Sequence, residues 1–232
     1  MTTFPVLMYH SVSNEKNNLS IGKDKFYQQM KFIKSLGFKS VNLKDIFSNT
    51  DKKKIIITFD DGYEDVYLNA MPILKEFNFK ATCFFVVNEI GKVNTWDSEQ
   101  KDYKLMNLMN EKQVLDWHKN GFEIGSHTLD HKDLSVLSSN EKKNQIEKSR
   151  TALKEKFDVN VESFAYPFGS VDNISHEIVK KNYKFAVTTN RSRYKTKNFP
   201  STKIPRIPIN FNTSKLKMLL KIYTLYEDIK SV

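Results

Sequence analysis

Residues 54–63 read Lys54-Ile55-Ile56-Ile57-Thr58-Phe59-Asp60-Asp61-Gly62-Tyr63. An apolar, β-branched run ends in two adjacent carboxylates and a glycine. Continuous apolar character suits a parallel strand buried on both faces. Neighbouring strand residues point to opposite faces, so two acids side by side raise the question of whether both can serve one site. A turn is the plain reading of Asp-Asp-Gly. Against it, the strand before the acids is wholly apolar, which puts them at a core edge. If the chain curls at Gly62 the two side chains need not oppose one another.

The surrounding sequence repeats one pattern. A helical stretch ends near Gly or Asn, an aromatic follows, and a strand-like run begins, at Leu36-Gly37-Phe38, Phe77-Asn78-Phe79, Asn120-Gly121-Phe122 and Asn182-Tyr183-Lys184-Phe185. Gly or Asn after a helix is a C-terminal stop. Strands are expected at 6–9, 39–43, 54–59, 81–87, 122–125, 163–166, 185–188 and 204–209. Helices are expected near 24–36, 64–77, 111–120, 139–157, 173–182 and 213–229, with a capping box at Ser138-Ser139-Asn140-Glu141. Strands alternating with helices predict a mostly parallel α/β sheet. Seven or eight strands in this length suit a distorted (β/α) barrel of about seven parallel strands; a doubly wound sheet is the alternative. Either gathers its site at the C-terminal strand ends.

Composition sets the bounds. A chain of 232 residues, 39% hydrophobic and 28% charged, builds one domain with a real core, and no Pro-, Gly- or Ser-rich linker divides it. We read 1–232 as a single domain with a C-terminal amphipathic helix at about 213–229. Cys83 is the sole cysteine, so no intrachain disulfide forms; its apolar neighbours make it a buried strand residue. The first residues lack a basic segment followed by a long apolar one, and no run has membrane-spanning length. A cytoplasmic protein, or one peripheral at the inner membrane face, is expected, unless a signal was trimmed. The formal charge is +10, carried mostly by dispersed Lys, which reads as solvated faces. With four Arg and no nucleic-acid motif, base readout is not expected.

Three polar clusters leave their strands at the same end: Asp60-Asp61-Gly62, Ser126-His127-Thr128-Leu129-Asp130-His131, and Tyr166-Pro167-Phe168-Gly169. In a parallel sheet that end is one mouth. His127 and His131 are four apart, a spacing that puts both rings on one side of a helical turn. Neutral imidazoles suit Zn, Ni, Fe or Co, and a carboxylate can complete the triad. The bland reading is a polar helix start with two solvated histidines. With a metal present, one acid can bind it and the other can hold a proton.

TFDDGY at 58–63 and SHTLDH at 126–131 resemble the first two motifs of the polysaccharide deacetylases, carbohydrate esterases that remove N-acetyl groups from amino sugars. FAYPFG at 164–169 resembles the third. The resemblance runs from Val6 to Ile209, and the opening LMYHSV is most similar to the poly-N-acetylglucosamine deacetylase branch. It implies a divalent metal, zinc first and Co, Ni or Fe as alternatives, held by Asp61, His127 and His131. It also implies Asp60 as general base and the backbone amide of Phe168 as an oxyanion donor, with Pro167 fixing the turn.

Three departures stand out. The third motif's usual Arg position is Ala165. No histidine follows His176, so a late Leu-x-His acid is absent, and Asp172 lacks a neighbouring Trp. His10, at the end of the first strand, is the candidate for the acid. Arg206, in Ile204-Pro205-Arg206-Ile207-Pro208-Ile209, is the candidate to pair with Asp60. His118 and His176 read as helix-surface residues. Tyr63, Tyr166, Pro167 and Trp96 are candidates to line a sugar site, Trp96 from a long loop at about 88–109 that could act as a lid; for Tyr63 and Trp96 packing is the other reading.

The expected function is metal-dependent N-deacetylation of an amino sugar in a polymer, or of a lipid-linked or nucleotide-linked precursor. The basic, amphipathic C-terminal stretch either packs on the barrel or makes peripheral membrane contact. Two other readings remain: an inactive sugar-binding homologue, motivated by the missing late histidine, and a metal-dependent amidase on another small molecule.

Overall fold

The computed structural model describes residues 3–15, 19–48, 53–98 and 104–229. Its strands are β1 (Thr3–Phe4), β2 (Val6–Tyr9), β3 (Lys39–Val41), β4 (Lys54–Phe59), β5 (Thr82–Phe85), β6 (Glu123–Ser126), β7 (Ser163–Ala165), β8 (Phe185–Arg191), β9 (Tyr194–Lys195) and β10 (Ile204–Pro208). The helices are α1 (Lys23–Ser35), α2 (Met71–Glu76), α3 (Glu111–Lys119), α4 (Ser139–Phe157), α5 (Asn173–Asn182), α6 (Lys215–Tyr223) and α7 (Tyr226–Ile229). Strands β2, β10, β8, β7, β6, β5 and β4 pair in that order, and β4 returns to β2. Every one of these pairings is parallel. The result is a closed seven-stranded barrel with helices around it, and the doubly wound alternative is excluded. The barrel is distorted because β3 pairs with the first half of β4 while β5 pairs only with its end.

Period-two alternation sorts the strand residues into two cores. Leu7, Ile55, Ile57, Phe59, Cys83, Phe85, Ile124, Phe164, Ala186 and Ile207 join Phe26, Met30 and Ile33 of α1 in the cluster between barrel and helices. Val6, Ile56, Phe84, Ala165, Val187 and Ile204 form the barrel interior. Both faces of each strand are therefore buried, which is why the strands read as unbroken apolar runs. By the same parity Thr58, Asp60, Glu123 and Arg206 face inward.

Capping boxes start α3 (Asn110 with Gln113), α4 (Ser138 with Glu141) and α5 (Asp172 with Ser175), each cap being worth about 1 kcal/mol. Two expected helices differ from the sequence reading. The stretch expected at 64–77 is wound as a π-helix over Val66–Ala70 before α2. The C-terminal helix is broken: α6 stops at Tyr223 and α7 resumes at Tyr226. Met218 and Ile222 of α6 pack into the outer core. Among the described residues no helix is long and apolar enough to cross a membrane.

Candidate active site

Inward parity carries Asp60 to the axis at the C-terminal end of β4, where it is buried. Strand parity alone would send Asp61 outward. Instead Asp61 adopts φ 72° and Gly62 φ 80°, so the chain turns left-handed at once and both carboxylates face the barrel mouth. Glycine takes this conformation without penalty; a Cβ at Gly62 would also sit 2.7 Å from the Phe85 ring.

The histidine pair reaches the same point from β6, though not on a helical turn. Residues 127–131 form a tight turn with positive φ at Thr128 (68°) and His131 (54°), closed by the His131 amide donating to Thr128 Oγ1 at 3.1 Å. The spacing that suggested a helix face works here through two left-handed residues. Asp61, Thr128, His131 and Phe168 account for four of the six non-glycine residues with positive φ among the described residues. Such conformations are costly and collect where function needs them.

His127 Nδ1 lies 2.8 Å from the Ala165 carbonyl oxygen. That oxygen only accepts, so Nδ1 carries the proton and Nε2 keeps its lone pair. The Nε2 atoms of His127 and His131 are 3.2 Å apart and lie 3.5 and 3.4 Å from Asp61 Oδ1. Burial lowers the pKa of both rings, and the charge on Asp60 only partly opposes it, so both are neutral. A carboxylate oxygen and two neutral imidazole nitrogens thus converge, all within 4.8 Å of one another and all buried. An O, N, N donor set converging this closely fits a divalent cation.

Asp60 has different company. Arg206, fully buried, donates Nη1 to Asp60 Oδ1 at 2.6 Å and Nη2 to Oδ2 at 2.7 Å. Its Nε donates to the Thr188 carbonyl and Nη1 also to Thr58 Oγ1. Burial alone would raise the Asp60 pKa; the charge and hydrogen bonds of Arg206 reverse this and hold the carboxyl well below its usual range. His10 Nε2 lies 3.8 Å from Asp60 Oδ2. Burial, with Arg206 and His127 nearby, outweighs Asp60 and pushes the His10 pKa down to about 4, so the ring is neutral at pH 7. Ala165, at the position of the absent motif Arg, instead offers its carbonyl to His127. Arg206 reaches Asp60 from β10.

Phe168 is half-exposed, with φ 56° and its ring 4.8 Å from that of His131. No hydrogen bond with a described residue uses its amide, while Gly169 and Ser170 close the turn onto Tyr166 and Pro167. The Trp96 ring also lies against His131, ring centroids 4.8 Å apart, and its buried Nε1 has no partner among the described residues.

Three of the candidates to line a sugar site are buried. Tyr63 is 1% exposed; its hydroxyl accepts from Asn94 Nδ2 and its backbone pairs with Leu108, so it anchors the long loop rather than facing solvent. Tyr166 is buried and donates to the Thr202 carbonyl. Pro167 is also buried; it supports the turn beneath Phe168. The sequence reading also missed Asp65 and Asn69, which bind the residues after His10. Their only signal was proximity to the acidic motif.

The sequence profile of the polysaccharide deacetylase family matches residues 47–186. The Bacillus subtilis protein YxkH, named for the polysaccharide deacetylases, is 30% identical over 192 residues, 80% of this chain and 64% of YxkH. The chain therefore spans somewhat less than two thirds of that relative. The poly-beta-1,6-N-acetyl-D-glucosamine N-deacetylase of Staphylococcus epidermidis is 28% identical over 217 residues, 86% of this chain and 71% of that protein. Among solved structures, the Streptococcus pyogenes deacetylase PplD superposes with a TM-score of 0.82 at 27% identity, covering 95% of this chain and 98% of PplD.

Proposed function

The chain belongs to the polysaccharide deacetylase family, and on that premise we propose that it hydrolyses the N-acetyl group of N-acetylglucosamine units in a glycan. The products are acetate and a free amine. The observation that carries the reading is the convergence of Asp61, His127 and His131 beside the Asp60–Arg206 pair at one mouth.

Asp61, His127 and His131 would hold the cation, for which zinc is the first choice. When bound, it supplies a polarised acetyl carbonyl and a water of lowered pKa. Asp60 accepts a proton from the attacking water. Arg206 keeps it ionised, and takes one lone pair on each carboxylate oxygen while others stay available. Neutral His10 lacks the second ring proton that would make it an acid at the outset. At 3.8 Å from Asp60 Oδ2 it is the next carrier, and passes that proton to the amine nitrogen as the C–N bond breaks. The Phe168 amide donates to the carbonyl oxygen as negative charge builds there. The rings of Phe168 and Trp96, both against His131, would offer apolar walls for a sugar face.

The name of the staphylococcal relative favours a polymer over lipid-linked or nucleotide-linked sugars. Acetate release is measured on a β-1,6-linked N-acetylglucosamine oligomer, a lipid-linked N-acetylglucosamine and a nucleotide-linked one, with Zn, Co or Ni against chelator. Release from the oligomer is expected, lost with chelator and reduced at least about a hundredfold in Asp60→Asn. If no metal supports release from any of the three, the reading is wrong.

A further inference from the structure

His10 stands on a short loop, and an acid must be held to within fractions of an ångström to work. Hydrogen bonds on both sides of His10 hold that loop. Before His10, the Tyr9 carbonyl accepts from the Asp60 amide at 3.0 Å. After it, Asp65 Oδ2 accepts from Ser11 Oγ at 2.6 Å and Oδ1 accepts from the Val12 amide at 2.9 Å. Asn69 Nδ2 then donates to the Val12 carbonyl at 2.8 Å. The Ser11–Val12 segment is thus gripped at a hydroxyl, an N–H and a C=O by two side chains from one element. Asp65 directly precedes the π-helical stretch and Asn69 lies within it, and such stretches recur at functional sites.

We infer that Asp65 is a positioning residue for His10: by clamping Ser11 and Val12 it sets the imidazole against Asp60. The segment 60–69 then carries the base and also the clamp for the group that receives its proton. One segment thus bears on both ends of the separation across which the proton moves. A carboxylate suits the task because it accepts at both oxygens, one from an N–H and one from an O–H. Asparagine can still accept from Val12 and can donate to the Ser11 hydroxyl, so it keeps a weakened clamp. Alanine keeps none. The inference rests on the proposed role of His10 in the deacetylation.

Leaving-group chemistry separates positioning from support. An amine is a poor leaving group and needs its proton; the phenolate of an aryl acetate leaves without one. The full-length, metal-loaded protein is assayed on an N-acetylglucosamine oligomer and on 4-nitrophenyl acetate. His10→Ala is expected to lose about a hundredfold on the acetamide and far less on the aryl ester. Asp65→Ala is expected to show the same selective loss, at least about tenfold on the acetamide, with Asp65→Asn and Ser11→Ala between it and wild type. A second readout needs no metal: the Val12 amide exchanges with deuterium faster in Asp65→Ala. If His10→Ala is selective and Asp65→Ala, or Asp65→Asn and Ser11→Ala should the alanine variant not fold, loses both activities alike or neither, the positioning role is overturned. If His10→Ala itself is not selective, the acid role falls and the inference with it. If wild type hydrolyses the aryl ester and no acetamide, the deacetylase reading is at fault.

Discussion

Asp60 and Asp61 are neighbours with opposite assignments, and their surroundings make the difference. Asp61 meets two neutral imidazole nitrogens; Asp60 meets a guanidinium at both oxygens. The Asp60–Arg206 pair is wholly buried, so it works by mutual neutralisation: either charge alone would be stranded. Arg206→Met is expected to destabilise the fold by about 3–5 kcal/mol. Adding Asp60→Asn should recover most of that loss and none of the activity. Urea unfolding of the two single variants and the double one closes the cycle. Additive losses would mean that the two groups are not energetically coupled. At this scale the sequence was informative about identity and poor on orientation. Arg206 was legible as the candidate to pair with Asp60; Tyr63 and Tyr166 were candidates to line a sugar site, with packing the other reading for Tyr63, because an aromatic beside a motif looks the same whether it faces the mouth or the core.

At the level of elements, most strands and helices were legible because most barrel strands are apolar on both faces and most helices stop at Gly, Asn or an aromatic. The exceptions have physical causes. The π-helical stretch at Val66–Ala70 leaves no trace in hydrophobic spacing. The break between α6 and α7 follows from charge: Glu227, fully buried, accepts from Lys221 Nζ and from Arg191 Nε, and Asp228 accepts from Lys195 at 2.7 Å. Turning the chain at Thr224 and Leu225 brings those acids onto the β8–β9 region. The third-motif turn is equally specific. Gly169 has φ 73°, and a Cβ there would lie 1.9 Å from Thr189 Oγ1. Gly169→Ala must therefore move the turn that presents the Phe168 amide. We expect a loss of kcat of about a hundredfold to a thousandfold, the size of losing one oxyanion donor, with metal affinity by calorimetry little changed, since Asp61, His127 and His131 lie on other turns. Unchanged kcat would remove Phe168 from the mechanism.

Across the whole molecule, the barrel axis holds one buried carboxyl near each end, pushed in opposite directions. At the mouth, Arg206 keeps Asp60 ionised. At the N-terminal ends of the strands, Glu123 accepts from Thr82 Oγ1 and Ser163 Oγ at 2.6 Å and from the Lys44 amide at 3.0 Å. Burial, only partly offset by those hydrogen bonds and by the charge of Lys44, raises its pKa above the ordinary 4.5. The apolar layer of Ile56, Phe84 and Val187 separates the two, and Gly125 makes room for it, a Cβ there falling 2.4 Å from the Phe84 ring. Because the folded protein holds the Glu123 proton more tightly than the unfolded chain, its contribution to stability is complete below about pH 4.5. That contribution is lost as pH rises through the folded-state pKa. Glutamine cannot ionise, keeps one acceptor for Thr82 and Lys44, and can donate to Ser163. The Tm of Glu123→Gln relative to wild type should therefore climb as pH increases from 4 towards 7, measured by thermal unfolding without metal. Parallel pH profiles for the two proteins would show that Glu123 titrates alike in both states, and that its burial does not tune the barrel's stability.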